Sequence, residues 1–205
     1  MKIKKRLLHW ETTSGKAEYV NCRFLHLKRN KMTQDIQYRK AVLSDAKKLS
    51  ILYKQVYIQT YGIEGVSDEF ANFITKQFAV ERLENIIQSN PDSVIVAAHK
   101  NNLVGVAEIE FDKKAPVNGI AGPELNKLYI LEWFCGRGIG YRLLMEAEQT
   151  VLSKGDKWMW LWVLDSNNRA IRFYERQQYE PKGKATFQME HNKYENIVMM
   201  KQLKM

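Results

Sequence analysis

The sequence predicts a mixed α/β domain, and three observations carry that reading. From Met32 onward the apolar residues switch repeatedly between a period of three to four and a period of two. No Pro-, Gly- or Ser-rich linker and no internal repeat interrupts that stretch, so a single domain is expected. The 205 residues are 45% hydrophobic and 27% charged, an ordinary globular composition with enough apolar side chains for one full-sized core. Disordered, collagen-like and disulfide-scaffold classes fall away with that composition.

Ile36-Gln37-Tyr38-Arg39 alternates as a short first strand. Ser44 and Asp45 then open a helix that carries Leu49, Leu52, Tyr53, Val56 and Tyr57 at spacings of three and four. Ser67 to Ser89 forms one or two more helices, with Phe70, Phe73 and Ile74 followed by Phe78, Leu83, Ile86 and Ile87. They stop before Pro91, because the residue ahead of a proline is pushed out of helical geometry. Beyond Pro91 the pattern turns to β: Ser93 to Ala98, a turn at Lys100-Asn101-Asn102, and Leu103 to Phe111 make a hairpin. A strand from Leu125 to Leu131 leads through a glycine-rich loop into a helix with Ile139, Leu143, Ala147 and Val151 at every fourth position. Trp158 to Leu164 is apolar on both faces, as a central strand would be, and the Trp158, Trp160 and Trp162 stripe is expected in the core. Asn167 or Asn168 caps a helix from Ala170 to Gln177, and strands at Ala185 to Glu190 and Glu195 to Met200 close the domain.

The net charge of +9 is unevenly placed. Residues 1–31 hold nine Lys or Arg against Glu11 and Glu18, a net +7, while the other 174 residues carry 23 basic and 21 acidic side chains, a net +2. The basic balance belongs to an amino-terminal extension, and the nearly neutral remainder makes no compositional case for a nucleic-acid partner. Met32 stands where the extension ends, so residues 1–31 are expected to be a flexible tail or the product of an alternative start, with residues 32–205 as the domain. An arm that touches RNA or a membrane, or a transit peptide, is the rival role for the extension. No window approaches eighteen consecutive apolar residues and no secretory apolar run is present, so no membrane partner and a cytoplasmic location are expected. Cys22 and Cys135 fit a reducing compartment as free thiols, and the four histidines, His191 and His99 among them, lie at no metal-ligand spacing, so no metal is expected.

The chemistry concentrates in Leu128-Tyr129-Ile130-Leu131-Glu132-Trp133-Phe134-Cys135-Gly136-Arg137-Gly138-Ile139-Gly140-Tyr141. A strand running through a glycine-rich loop directly into a helix aims several backbone N–H groups at one spot, with the positive end of the helix dipole behind them. An anion, a pyrophosphate before others, should sit there. The dinucleotide fingerprint fails because its third glycine position is Tyr141, and the nucleoside-triphosphate loop fails for want of Gly-Lys-Ser or Gly-Lys-Thr.

The frame Cys135-Gly136-Arg137-Gly138-Ile139-Gly140 resembles the acetyl-coenzyme A loop of the GNAT acetyltransferases, which reads Arg or Gln, two residues, Gly, one residue, Gly or Ala. Cys135 departs from the usual Arg or Gln, and Glu132 stands where proline is common. Downstream, Asn167, Ala170, Phe173 and Tyr174 match the family segment Asn-x-x-Ala-x-x-Phe-Tyr in register, while Gln178 and Tyr179 replace its closing Gly-Phe. Motifs and element order together cover about Ile36 to Leu203. The closing strands, through Phe187-Gln188-Met189 and Asn196 to Met200, look most like bacterial spermidine/spermine acetyltransferases of the Pai type.

The resemblance implies a GNAT fold, a mixed twisted central sheet flanked by helices. It also implies acetyl transfer from acetyl-coenzyme A, as cosubstrate, to a small-molecule amine acceptor, with a homodimer left open. Leu128, Tyr129 and Ile130 would hold the pantetheine arm, Gly136 to Tyr141 the pyrophosphate, and Asn167 the arm from its other side. Tyr174 matches the tyrosine that protonates the departing thiolate. An amine that is mostly ammonium at pH 7 must lose a proton, and Glu124 is the first candidate base, with Glu108 and Glu110 behind it. A polyamine would call for carboxylates near the acceptor mouth, where Glu64, Asp68 and Glu69 lie beside Tyr57, Tyr61 and Phe70. A Cys135 nucleophile, its pKa lowered by the helix end, is the minor alternative to direct transfer. Acetylation of a protein amino terminus or lysine is the rival activity, and a non-catalytic acyl-coenzyme A binder is the rival of another class.

Overall fold

A computed structural model of the chain describes residues 35–204 apart from positions 118, 120 and 190. The amino-terminal extension, with Cys22 and the Met32 boundary, lies outside the described residues. The elements are β1 (Ile36–Lys40), α1 (Ala46–Tyr61), α2 (Asp68–Gln77), α3 (Val80–Ser89), β2 (Val94–His99), β3 (Asn102–Lys114), β4 (Ala121–Ile130), α4 (Ile139–Ser153), β5 (Trp158–Leu164), α5 (Asn168–Arg176), β6 (Glu180–Gln188) and β7 (Lys193–Gln202). Short 3-10 turns at Leu43–Asp45 and Glu132–Phe134 precede α1 and the glycine-rich loop. Among the described residues seven strands form one sheet in the order β1-β2-β3-β4-β5-β7-β6, with β4 and β5 parallel and the other neighbours antiparallel.

Alternation on the strands explains the layers. On β2, Ile95 and Ala97 pack with Leu143, Leu144, Ala147 and Val151 of α4, whereas Val94, Val96 and Ala98 pack with Leu49, Leu52 and Tyr53 of α1 and with Leu83 and Ile87 of α3. Both faces of the sheet are therefore covered, and β2 reads as a continuous apolar run for that reason. The helix starts follow local chemistry: the Ser67 hydroxyl accepts from the N–H of Phe70, and Asn167 Oδ1 accepts from the N–H of Ala170. The β2–β3 hairpin closes in two residues, Lys100 and Asn101, both at positive φ, as a turn that matches the twist of its strands.

Several expectations need correction. The strand into the glycine-rich loop begins at Ala121, four residues early, because Pro123 falls where the β3–β4 register is irregular and no ladder hydrogen bond is lost. Likewise β6 begins at Glu180 and runs through Pro181, which the sheet edge tolerates. The tryptophan stripe is only partly core. Trp160 is buried and donates its indole N–H to Gly122 O at 2.9 Å, whereas Trp158, at the strand's start, is 46% exposed.

Candidate active site

Strands β4 and β5 pair through a single register position, Glu124 with Trp160. Beyond it β5 stays with β7 and β4 stays with β3, so the two parallel strands part. A bulge lies just past that point: Glu108 pairs with Lys127 and Ile109 with Leu125, leaving Asn126 as the extra residue on β4. Bulges bend a strand and raise its twist, and this one coincides with the parting of β4 from β5. Leu131 donates its N–H to Val104 on the β3 side. By antiparallel alternation Leu128 and Ile130 turn their backbone N–H and C=O groups the other way, toward the opening. The stretch from Glu124 to Ile130 amounts to roughly 20 Å of strand, room for a long extended arm to pair with that free edge.

The loop continues from the end of this edge. Gly136 and Gly138 sit at φ 72° and 77°, a region that side chains rarely adopt, and Gly138 is the N-cap of α4. A Cβ at Gly140 would come within 3.2 Å of Ile130 Cδ1 and 3.9 Å of Phe173 Cζ, so this glycine lets α4, β4 and α5 meet. Among the described residues no acceptor faces the backbone N–H of Gly136, Arg137, Gly138, Ile139, Gly140 or Tyr141. Arg137 stacks on Phe134 at 5.3 Å, and its Nε and Nη1 are buried without a hydrogen-bond partner. Orphan donors of this number and placement fit a multiply charged phosphate ester.

The titratable groups divide sharply. Glu124, 6% exposed where the strands part, has its carboxyl raised to about 7, chiefly by burial, with Lys113 at 3.9 Å opposing. Glu108 is not poised in this way. Burial pushes it up, but Lys127, the Tyr53 hydroxyl at 2.7 Å and Arg82 together hold it below the usual carboxylate range. It also accepts from Asn126 Nδ2 at 2.7 Å, so it braces the bulge. Glu110 is tied to Lys113 at 2.8 Å. Tyr174 lies buried against Phe173 and Tyr179, and burial pushes its phenol well above the usual range, so it stays protonated. The Cys135 expectation is reversed: burial raises this thiol, outweighing the lowering by Arg169, so no thiolate is favoured.

A free strand edge, a phosphate-fitting loop and a buried tyrosine now stand in one place. The match of residues 63–179 to the model of the acetyltransferase (GNAT) family decides the matter. The chain belongs to the GNAT acetyltransferases. It is 26% identical to an uncharacterized N-acetyltransferase of Mycobacterium tuberculosis over 136 residues, 66% of this chain and 83% of that one. An uncharacterized N-acetyltransferase of Archaeoglobus fulgidus is 27% identical over 126 residues, 61% of this chain and 82% of that one. The fold matches the crystal structure of PaiA N-acetyltransferase from Thermoplasma acidophilum in complex with coenzyme A, with a TM-score of 0.66 and 25% identity over 82% of this chain and 98% of that one. A ribosomal-protein-alanine N-acetyltransferase from Brucella melitensis shares the fold at TM-score 0.61 and 23% identity, over 82% and 99% of the two chains.

In this GNAT chain a second arginine, besides Arg137, brings positive charge near the loop. Cys135 carries none, but Arg169 on α5 pairs with Glu132 at 3.3 Å and lies within hydrogen-bonding reach of the Cys135 thiol. Asn167 spends Oδ1 on the cap of α5, and its Nδ2 has no partner among the described residues. Tyr141 is exposed on the first turn of α4. Tyr61 packs on Tyr57, with ring centroids 4.5 Å apart, and burial pushes its phenol up. Glu64 and Asp68 are exposed, while Glu69 accepts from the backbone N–H groups of His191 and Asn192. The bulge at Asn126 and the clasp of Glu69 escaped the sequence reading, since both depend on partners far away in the chain.

Proposed function

We propose that this acetyltransferase moves an acetyl group from acetyl-coenzyme A to the primary amine of a small molecule. One observation carries the proposal: a carboxyl poised at about 7 stands where β4 parts from β5, and the free edge of β4 leads from it to the orphan donors of the loop. In this account Gly136 to Tyr141 and Arg137 hold the pyrophosphate. Leu128 and Ile130 pair their backbone with the pantetheine arm, with Asn167 Nδ2 donating from the other side. Glu124 takes the proton, directly or through water, from an ammonium whose reference pKa is about 10.4, and the freed amine attacks the thioester carbonyl. The C–S bond then breaks, and Tyr174 donates to the departing sulfur. The PaiA neighbour and the Pai-like closing strands support a polyamine as the acceptor.

The pH dependence tests the base. Below about 7 Glu124 holds a proton and cannot accept another; above it the carboxylate is free to do so. The kcat/KM of the wild-type protein is expected to rise with pH through an apparent pKa near 7. Glu124→Gln should lose that limb and lower kcat by about 10- to 100-fold. A variant that keeps both the limb and the rate assigns the base to another group.

A further inference from the structure

Helix α2 and the β6–β7 turn are joined at three depths. Deepest, Met189 is buried in the core formed with α1, α2 and α3. Next, Phe73 meets Phe187 edge to face, with ring centroids 5.8 Å apart. Outermost, the Glu69 carboxylate accepts from the backbone N–H of His191 at 2.5 Å, from that of Asn192 at 3.2 Å, and from the Asn192 side-chain amide. A carboxylate taking three donors from one turn, two of them backbone, holds the turn itself and not merely a side chain.

Behind this clasp lies a group of tyrosines. Tyr57 packs on Tyr61 and Phe73, with ring centroids 4.5 and 5.4 Å apart. Tyr57, Tyr61, Tyr129 of β4 and Tyr194 of β7 pack against the same core as Phe73 and Phe187. The hydroxyls of Tyr57, Tyr61, Tyr129 and Tyr174 make no hydrogen bond among the described residues, and burial pushes each phenol up. Tyr57, Tyr61 and Tyr129 are only half-buried, and Tyr129 lies on β4 itself, so hydroxyls left open to a guest lead to that strand. Ring faces and hydroxyl oxygens suit a slender aliphatic chain that carries an amine or ammonium. A polypeptide lying across the same approach needs the β6–β7 turn to move away from α2.

We infer that Glu69 is a specificity-determining residue, a clasp that closes the acceptor approach into a tyrosine-lined passage and so selects slender aliphatic amines over the amino terminus or lysine of a polypeptide. The inference rests on the amine-transfer activity proposed above. Its test compares kcat/KM for butane-1,4-diamine and for a hexapeptide with a free amino terminus in the wild-type protein, Glu69→Ala and Glu69→Gln. The wild-type protein is expected to prefer the diamine. Glu69→Ala should lower the diamine-to-peptide ratio by about tenfold, mainly through a lower KM for the peptide, and amide exchange at His191 and Asn192 should quicken. Glu69→Gln keeps a carbonyl oxygen for the turn and should restore part of the ratio. Faster exchange with an unchanged ratio, or a wild-type protein that prefers the peptide, overturns the clasp while leaving acetyl transfer intact. A wild-type protein inert toward both amines overturns the transfer reading and the clasp with it.

Discussion

Gly138→Glu abolishes acetyl-coenzyme A binding and leaves the domain folded: this is the largest effect expected of any single change. No atom lies within 4 Å of a Cβ built at Gly138, so the side chain has room. The cost to the fold is the positive φ of 77°, about 1–2 kcal/mol for a residue with a side chain, partly offset by a carboxylate at the N-terminus of α4. That same carboxylate would stand beside the loop's orphan N–H groups and repel the pyrophosphate proposed to bind there. Titration calorimetry should show at least about a 100-fold loss of affinity. Gly138→Asn bears the same backbone strain without the charge, and asparagine tolerates this conformation better than most residues. A loss of only a few fold is expected for it, and equal losses in both variants assign the effect to backbone strain and not to an anion site.

Tyr174→Phe should lower kcat by about 10- to 1,000-fold with little change in cofactor affinity. The phenylalanine ring keeps the contacts of Tyr174 with Phe173 and Tyr179, whose centroids lie 5.2 and 5.7 Å away, so packing survives. What disappears is a hydroxyl with no partner among the described residues and with its proton held by burial at any working pH. A coenzyme A thiolate leaving into a buried site has to gain hydrogen-bond donation as the C–S bond breaks. In the proposed reaction Tyr174 would donate from α5, which meets β4 and α4 at Phe173 and Gly140. If kcat is unchanged in the variant, the tyrosine serves packing alone and the leaving group takes its proton elsewhere.

The parts of this protein legible in its sequence are those governed by local chemistry. The every-fourth apolar residues of α4 and the two-faced apolar run of β5 record burial that each element meets in the sheet, and both appear as expected. The loop was legible because its backbone needs glycine at positions 136 and 138. What the sequence hid depends on long-range pairing. The β4 bulge arises from how β3 registers against β4, with Glu108 accepting from the side chain of Asn126. The position of Glu124 was legible but its environment was not: its raised carboxyl comes from burial where two strands part. By sequence Glu69 is one of three carboxylates expected near the acceptor mouth, yet its partners are largely backbone N–H groups 122 and 123 positions away, which carry no side-chain signature. Trp158 misled for the opposite reason, since a stripe on a strand says nothing of where the covering layer ends.

The central claim is that the free edge of β4 and the loop beyond it serve chemistry and not only binding. The most direct measurement is the release of free thiol from acetyl-coenzyme A by the full chain, with and without a primary amine. The account predicts thiol release that requires the amine, matches N-acetylated product one for one, and leaves no acetyl group on the protein. Acetyl-coenzyme A bound firmly by calorimetry, with no thiol released across a panel of polyamines, simple amines and peptides, would contradict it.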